Sequence, residues 1–438
     1  MKIEITDQGK WYRSFTLKLA LLGFLGLFLL IPLQMIKEII LERQKNSEKV
    51  IKEISDQWAA KQCFAGPVLN IPYKTIPTDE NEKPVTKIWH ILPENLEITA
   101  ILKPEIRHRG IYKAVVYDSE LEIKGEIVIP GEDVIKNGII GWDEAYFTAG
   151  ISDNRGLKGK LLLKTDGSDL EAEPGLRDND IFQSGVSFLN PVISPGKKIK
   201  FSMVLQLSGS EGFLLAPLGK TTTATIQADW SSPSFTGSFL PEKRTLDGKK
   251  FIAHWEITHL NRNFPQNWTG NGYQPLLSSF GVDLYQPVDH YQKSWRSSRY
   301  GLLFIALTFL VLIFLEITRK ETLHIFNYFL VSLALLLFFS LLTALSEKTG
   351  FNTAYLLASL STILMITFFT STLFREKKSS FIVFGILGIL YLFIFVLLTL
   401  EDYAFLAGNI GLFFLLSVIM IVAGRMKPFL SENNNRIN

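Results

Sequence analysis

Residues 300–317 read YGLLFIALTFLVLIFLEI, and this stretch indicates a membrane-spanning helix. Its only charged side chain, Glu316, lies near the end, and about 20 predominantly apolar residues suffice to cross the hydrocarbon core of a bilayer. Five other stretches share this length and composition. The sequence therefore predicts six transmembrane helices, at Leu17–Ile36, Tyr300–Ile317, Ile325–Leu345, Thr353–Leu373, Phe381–Leu400 and Ala404–Ala423.

Composition narrows the class of protein further. Hydrophobic residues make up 47% of the 438 residues and are bunched into these spans, which is typical of proteins whose partner is the lipid bilayer. The formal net charge is only +3, so we expect no nucleic-acid partner. Cys63 is the single cysteine, which excludes a disulfide framework within the chain.

The first span is predicted to be a retained anchor and not a cleaved signal peptide. Lys10, Arg13 and Lys18 precede or open it, as basic residues do in signal peptides. However, the apolar stretch is longer than the core of a typical signal peptide. Its end, IPLQMI at residues 31–36, also lacks a small-residue cleavage site.

Basic residues in the short loops predict the orientation of the chain. Lys and Arg concentrate in cytoplasmic loops, and this rule is satisfied when both termini are cytoplasmic. Residues 1–16 and 424–438 then lie in the cytoplasm, and residues 37–299 are extracytoplasmic. The basic residues on the cytoplasmic side are Lys2, Lys10, Arg13, Lys18, Arg319, Lys320, Arg375, Lys377, Lys378, Arg425, Lys427 and Arg436.

The region between the first two spans divides into a helical stalk and a β-rich domain. Residues 37–60 carry apolar side chains at helical spacing, which predicts the stalk. Within residues 61–286 the period changes to two, as in Leu121–Ile129 and Ile199–Leu207, and Pro-Gly and Asp-Gly turn signals separate the strands. We predict a mostly antiparallel, sandwich-like β domain; one sandwich and two subdomains both fit the pattern.

A second helix is predicted to connect this domain to the membrane within residues 287–317. Pro287-Val288-Asp289 is typical of a helix start, where the Asp289 carboxylate caps the first turn. The helix continues through Tyr291 into the second span, and four further spans follow within residues 325–423. Because the stalk and this helix are both stiff, we predict that Asp289 and Tyr291 take part in coupling the domain to the membrane.

Some short motifs imitate enzyme or metal sites. Ser194–Lys197 (SxxK), Ser152–Asn154 (SDN) and Lys348–Gly350 (KTG) match fragments of penicillin-binding enzymes, but their order is wrong and Pro195-Gly196 is typical of a turn. His254 and His259 are five residues apart on a strand-like segment, whereas a zinc-binding helix needs a spacing of about four. We therefore expect no enzyme activity, no catalytic residue, no cofactor and no metal site.

The densest basic cluster of the β-rich region is Arg107-His108-Arg109-Gly110. Arg side chains grip phosphate and carboxylate groups through two parallel hydrogen bonds. Arg107 and Arg109 are therefore the candidate contact for an anion or a partner. The alternative is a solvated strand end in front of a turn.

The predicted spans carry no ionisable residue at mid-depth. Ion-coupled transporters usually keep charged groups in the membrane interior. Glu316 lies near the cytoplasmic end of the second span, beside Arg319 and Lys320. This pattern weakens the hypothesis of an ion-coupled transporter.

Short segments over nearly the whole chain match a known family in their order and spacing. They are Arg109–Tyr112, Gly150–Asp153, Pro217–Gly219, Trp230–Phe235, Phe239–Pro241, Ala253–Trp255, Phe280–Asp289 and Gly350–Tyr355. With these segments the chain resembles the CreD family of bacterial inner-membrane proteins, also called cell envelope integrity proteins. The resemblance implies a multi-pass protein of the inner membrane, with residues 37–299 in the periplasm and a role in envelope integrity or stress response. It implies no reaction and no catalytic residues.

The leading hypothesis is a non-enzymatic inner-membrane protein whose β-rich domain binds a periplasmic, inner-membrane or other envelope partner. Two alternatives stay open. A transporter or lipid-handling protein requires a cavity between the spans that reaches mid-membrane. An envelope hydrolase requires a pocket that gathers Ser, Lys or His with carboxylates.

Overall fold

The computed structural model describes residues 15–76, 83–131, 135, 138–284, 289–319, 321–374, 377–400 and 404–425. The chain forms two compact units. One comprises Met1–Asn46 and Val288–Asn438 and is helical, and the other comprises Ser47–Pro287 and is mostly β-sheet.

The structure describes eight α-helices, most of which are long and apolar. They are α1 (Phe15–Phe28), α2 (Leu30–Trp58), α3 (Asp289–Arg299), α4 (Gly301–Arg319), α5 (Ile325–Thr349), α6 (Phe351–Leu373), α7 (Lys377–Thr399) and α8 (Ala404–Arg425). The hydrogen bond from Leu33 N to Leu29 O, 3.2 Å long, continues the helical ladder between α1 and α2. The boundary between the two units falls within α2, after Asn46.

Among the described residues, five helical segments are long and apolar enough to cross a membrane: Leu17–Trp58, Gly301–Arg319, Ile325–Thr349, Phe351–Leu373 and Ser380–Thr399. They include five of the six stretches that the sequence predicts as spans, so the prediction of several apolar membrane helices is confirmed. The sixth stretch coincides with α8, and its role as a span stays a prediction.

Aromatic side chains fill the centre of the helical unit. Tyr391 on α7 is buried against Phe304 on α4 and Phe338 on α5, with ring centroids 4.6 Å and 4.9 Å away. The helices of this unit also expose large apolar side chains, such as Phe368 on α6 and Ile389 on α7, which are 74% and 71% exposed. A helical unit with apolar side chains both in its interior and on its surface is typical of a lipid environment.

The other unit contains the described β-strands of the chain. They are β1 (Gln62–Thr75), β2 (Thr86–Ile91), β3 (Asn95–Arg109), β4 (Tyr112–Val128), β5 (Gly138–Ile140), β6 (Tyr146–Ile151), β7 (Leu157–Lys158), β8 (Leu162–Thr165), β9 (Asp169–Pro174), β10 (Gly185–Leu189), β11 (Lys198–Ser210), β12 (Gly212–Leu215), β13 (Thr221–Ala228), β14 (Pro233–Gly237), β15 (Lys243–Asp247), β16 (Lys250–Thr258), β17 (Asn267–Thr269) and β18 (Phe280–Leu284). The strands predicted from Leu121–Ile129 and Ile199–Leu207 lie on β4 and β11 and are confirmed.

The strands form two sheets. The first has the order β14–β18–β12–β1–β6–β10–β9, and β2, β17 and β5 extend it along the far end of β1. The second has the order β15–β16–β13–β3–β4–β11, followed by β7 and β8, and then β9. β9 pairs with β8 at its start and with β10 at its end, so it joins the two sheets.

One apolar core serves both sheets. Phe147 and Phe213 of the first sheet belong to the same buried cluster as Ile123 and Trp255 of the second. The unit is therefore one sandwich and not two subdomains. The pairings β1–β12 and β3–β13 are parallel, and the other described pairings are antiparallel, which confirms the mostly antiparallel sandwich.

Candidate functional site

A pocket lies where the end of α2 meets the tip of the β3–β4 hairpin. Its volume is about 250 Å³, and Arg107 and Arg109 contribute to its wall. We call it the Trp58 pocket; its lining residues are Ile54, Gln57, Trp58, Arg107, His108, Arg109 and Val116. All of them belong to the β-rich unit.

The hairpin positions the basic side chains of this pocket. β3 and β4 pair in unbroken register up to Arg109 and Tyr112, and Gly110 adopts the left-handed conformation that the tight turn requires, with φ +64°. Alternate residues of a strand share a face, so Arg107 and Arg109 lie on the same side of the hairpin. The last five residues of β3 are exposed, and the two guanidinium groups are therefore accessible to a ligand.

Trp58 forms the aromatic wall of the pocket. Its indole Nε1 donates a hydrogen bond to Tyr117 O at 3.5 Å. The Arg107 guanidinium lies 4.9 Å from the centroid of the ring, and Lys158 Nζ lies 5.2 Å from it. A cation within about 6 Å of an aromatic face is attracted by the ring quadrupole. Trp58 thus holds two cations beside the pocket.

Carboxylates balance these cations at the rim. Arg109 pairs with Glu53 and Arg107 with Glu105, both at 3.1 Å. An Arg guanidinium carries several N–H donors, so these single ion pairs leave donors for a further anion. The pairs are about half exposed, and they are therefore weak enough to exchange for a ligand.

Asp118 anchors Lys158 next to Trp58. Partial burial tends to raise the pKa of the Asp118 carboxyl group, but hydrogen bonds from Lys158 and Ser208 and the charges of Lys158 and Arg107 lower that pKa below its ordinary value. The donors are Lys158 Nζ at 2.5 Å and Ser208 Oγ at 2.6 Å. The carboxylate consequently stays ionised at neutral pH and keeps the ammonium group in place.

The structure brings the two predicted residues, Arg107 and Arg109, into one pocket. Sequence reasoning did not associate Trp58 or Lys158 with them, because both are distant in the chain and only packing brings them together. Trp58 is the last apolar residue of the predicted stalk. An aromatic side chain at this position was the sequence feature that could have indicated a contact with the β-rich domain. The arrangement suits a small anionic group, such as a phosphate or carboxylate, that is bound by the cations beside the Trp58 ring.

The other predicted site residues, Asp289 and Tyr291, lie on α3. The helix begins at Asp289, but the Asp289 side chain, and with it the predicted cap, lies outside the described residues. Tyr291 is buried in the helical unit, and its hydroxyl donates to Glu347 Oε1 on α5 at 3.0 Å. Arg296 Nη2 donates to Leu400 O at 3.1 Å, so α3 contacts two neighbouring segments.

The enzyme-like fragments have local structural contacts. Ser152 Oγ accepts a hydrogen bond from Cys63 N at 2.9 Å. Ser194 lies in a turn, where Lys197 N donates to Ser194 O at 3.2 Å and Gly196 has φ +73°. This turn does not give the helical Ser–Lys arrangement of the enzymes. Lys348 lies in the last turn of α5.

A charged cluster in the helical unit was not recognised in the sequence. Lys18 on α1 forms an ion pair with Glu316 on α4 and donates to Leu323 O at 2.6 Å. Tyr328 on α5 donates its hydroxyl proton to Glu316 Oε2 at 2.8 Å. The ionic side chains are only 14% and 11% exposed, so this ion pair and Tyr328 connect three helices through buried polar contacts.

His90, Asp178 and Asp180 are the described residues that could hold a metal ion. Each offers one ligand atom, and the three atoms lie within 4.8 Å of one another. Burial lowers the pKa of His90 below its ordinary value, although both Asp carboxylates oppose this effect. These residues are far apart in the sequence, and no local spacing motif indicated them.

A groove between α5 and α6 is apolar throughout. Its volume is about 230 Å³, and its lining includes Leu333, Leu337, Met365 and Phe369. It offers no charged or hydrogen-bonding side chain to a polar solute.

Comparisons with known proteins agree with the resemblance stated above. The family model described as "Inner membrane protein CreD" matches residues 14–427. "Inner membrane protein CreD" of Escherichia coli (strain K12) is 32% identical over 345 residues, which cover 76% of each chain. Among solved structures, native leukotriene A4 hydrolase from Saccharomyces cerevisiae aligns with 51% of this chain and 35% of its own length. At 11% identity and a TM-score of 0.19, this likeness carries no argument.

Proposed function

The chain belongs to the CreD family of inner membrane proteins, and we propose that it supports the integrity of the cell envelope by binding an anionic envelope component through the Trp58 pocket. The observation that carries the proposal is the stacking of Arg107 and Lys158 on Trp58, with Arg109 on the same pocket wall. The protein acts in this proposal as a binding protein and not as an enzyme.

The proposed orientation places the pocket in the periplasm. In this arrangement both termini are cytoplasmic, α8 is the sixth span, and the β-rich unit is extracytoplasmic. The basic residues at the ends of the predicted spans support it, because Arg319, Lys320, Arg375 and Lys377 then lie on the cytoplasmic side. Envelope polymers and lipid headgroups that carry phosphate or carboxylate groups are accessible from that compartment.

The pocket favours a small anionic group on a larger partner. Its volume of about 250 Å³ is below the usual range for a whole drug-sized ligand, about 300–1,000 Å³. Two guanidinium groups on one strand face can each grip an oxyanion in a planar fork, which a Lys pair cannot do. We therefore infer that the partner inserts a phosphate or carboxylate group and stays outside the pocket with the rest of its surface.

Charge reversal tests the proposal directly. Arg107→Glu with Arg109→Glu is compared with Lys249→Glu with Lys250→Glu, which changes two exposed basic residues at another hairpin turn of the same unit. We expect only the first pair to abolish complementation of envelope-stress sensitivity in cells that lack the native protein. Equal complementation by both pairs would contradict the proposal.

Site-specific photocrosslinking provides a second measurement. A photoreactive residue replaces exposed Gln57 at the pocket, and exposed Leu260 in the same unit serves as the matched control position. We expect a defined adduct in membranes from position 57 alone, and loss of that adduct when Arg107 and Arg109 are reversed. An adduct that is unchanged by the charge reversal would argue against the pocket.

The alternative functions gain no support from the described residues. The groove on α5 and α6 lacks polar groups that could bind a solute, so it does not favour a transporter. Its apolar lining is compatible with lipid tails. The contacts of Ser152 and Ser194 are structural, which does not favour a hydrolase.

A further inference from the structure

A buried polar cluster in the first sheet goes beyond the proposed function and shares no residue with the Trp58 pocket. His90 on β2 is fully buried, and Asp178 and Asp180 lie in the segment 175–184 between β9 and β10. His90 Nε2 is 3.2 Å from Asp180 Oδ2. The Asp180 side chain is 29% exposed, so the cluster is reachable from solvent.

The hydrogen bonds of Asn70 determine which nitrogen of His90 carries a proton. Asn70 Nδ2 donates to Thr148 Oγ1 at 2.8 Å and to Val68 O at 3.3 Å. Its Oδ1 therefore faces His90 Nδ1, 2.7 Å away, and accepts a hydrogen bond from it. In the neutral imidazole the other nitrogen, Nε2, then carries a lone pair. That lone pair points at the Asp180 carboxylate.

A lone pair that faces a carboxylate is repulsive unless a proton or a metal ion lies between them. Asp178 is held near the same point, because its Oδ2 accepts from Tyr146 Oη at 2.7 Å and its Oδ1 accepts from Asp180 N at 3.1 Å. In the described part of the chain, neither Asp forms an ion pair with Lys or Arg; Arg177 lies instead over the Tyr146 ring, 5.9 Å from its centroid. Two carboxylates and one imidazole nitrogen thus converge without a Lys or Arg counter-charge.

We propose that His90 Nε2 and the carboxylates of Asp178 and Asp180 bind one divalent transition-metal ion of the Zn²⁺ type. Zn²⁺ takes imidazole nitrogen and carboxylate oxygen at about 2.0–2.2 Å, so neighbouring ligand atoms in a tetrahedral site are ~3.4 Å apart. The His90–Asp180 distance of 3.2 Å fits this spacing. Asn70 and Tyr146 orient the ligands as outer-shell partners do in known metal sites.

The ion would fasten the segment 175–184 to the first sheet. His90 lies on β2, Asn70 on β1, and Tyr146 on β6, so one ion connects three neighbouring strands with this segment. Three protein ligands leave a position for water or for a ligand group of a partner.

The test is a Zn²⁺ titration of the full-length protein in detergent after removal of metals with a chelator. We expect calorimetry to give one Zn²⁺ per chain, together with a rise in melting temperature. Asp178→Asn and Asp180→Asn each weaken binding at least about tenfold. Asp229→Asn, which changes an exposed carboxylate elsewhere in the sandwich, binds as the unchanged protein does.

Co²⁺ quenching keeps the test decisive if a variant fails to fold. The Trp268 ring lies 5.5 Å from the His90 ring, so bound Co²⁺ quenches its fluorescence, and Trp268→Phe reduces the total quenching while Zn²⁺ still binds. The proposal is overturned if the unchanged protein takes up no stoichiometric Zn²⁺, or if the folded Asp178 and Asp180 variants bind it equally well. In that event His90 and Asp180 form an internal ion pair only.

Discussion

At the scale of single residues, Asp153 shows how one carboxylate organises the start of the sandwich. Its Oδ2 accepts from Ala60 N at 3.0 Å, and its Oδ1 accepts from Arg155 N at 3.1 Å. Arg155 also donates to the carbonyl of Asp56 near the end of α2. The hydrogen bonds from the Arg155 side chain lower the pKa of Asp153 to about 2, against a smaller opposing effect of burial.

This shift predicts a defined pH dependence of stability. Because the pKa of Asp153 is lower in the folded state, its contribution is complete above the ordinary Asp pKa of about 3.9 and is lost as the pH falls towards 2. We expect a loss on the order of 1–2 kcal/mol, since Arg155 is exposed and solvent screens its charge. The difference in melting temperature between Asp153→Asn and the unchanged protein should therefore be smaller at pH 3 than at pH 5. A constant difference between the two proteins would contradict this assignment.

At the scale of elements, the ion pair of Lys18 and Glu316 joins α1 to α4, and Tyr328 adds α5. Removing one partner of a buried pair leaves an uncompensated charge, whereas replacing both with apolar groups is often nearly neutral. We expect Glu316→Leu to lower the stability of the helical unit by about 3 kcal/mol, and Lys18→Met with Glu316→Leu to recover most of that loss.

Thermal unfolding in detergent measures this double-mutant cycle. Glu38→Leu is the matched control, because Glu38 is an exposed carboxylate of the same unit whose hydrogen bond to Gln34 is 3.4 Å long. It should change the melting temperature little. If the double variant is as unstable as Glu316→Leu alone, the pair does not account for the packing of these helices.

Sequence reasoning succeeds for elements whose pattern is local. The alternation on β4 and β11 repeats every two residues, and the spans are continuous apolar runs, so both can be predicted without any tertiary contact. The sites depend on distant residues. Arg107 and Arg109 could be chosen as candidates because they lie two residues apart in the sequence. The position of Trp58 beside them, the ion pair of Lys18 with Glu316 and the His90 cluster depend on the folded chain.

At the scale of the whole molecule, the orientation in the membrane is the first property to test. The proposal places Lys378 in the cytoplasm and the sandwich in the periplasm, because basic residues cluster at the same ends of the predicted spans. Alkaline phosphatase, which is active only in the periplasm, should be active when fused at Gly248 and inactive when fused after Lys378. Activity in the opposite pattern would reverse the assignment.

The chain runs from the sandwich to the second predicted span through α3. The link at Pro287 and Val288 lies outside the described residues, but α3 itself is fixed in the helical unit by Tyr291 at its start and Arg296 at its end. An insertion of Gly-Ser after Lys293 rotates one end of α3 against the other by about 200°, so Tyr291 and Arg296 cannot both keep their partners. If α3 couples the two units, we expect this insertion to impair complementation under envelope stress while the amount of protein in the membrane stays normal.

The same Gly-Ser insertion after Gly248, in the exposed turn between β15 and β16, is the matched control and should leave complementation intact. Tyr291→Phe separates the two contacts, because it removes only the hydroxyl that donates to Glu347. Coupling through this contact requires that Tyr291→Phe reproduce part of the insertion defect. If the insertion after Lys293 complements as well as the control does, α3 only anchors the sandwich, and the binding event proposed for the Trp58 pocket is not transmitted through this helix.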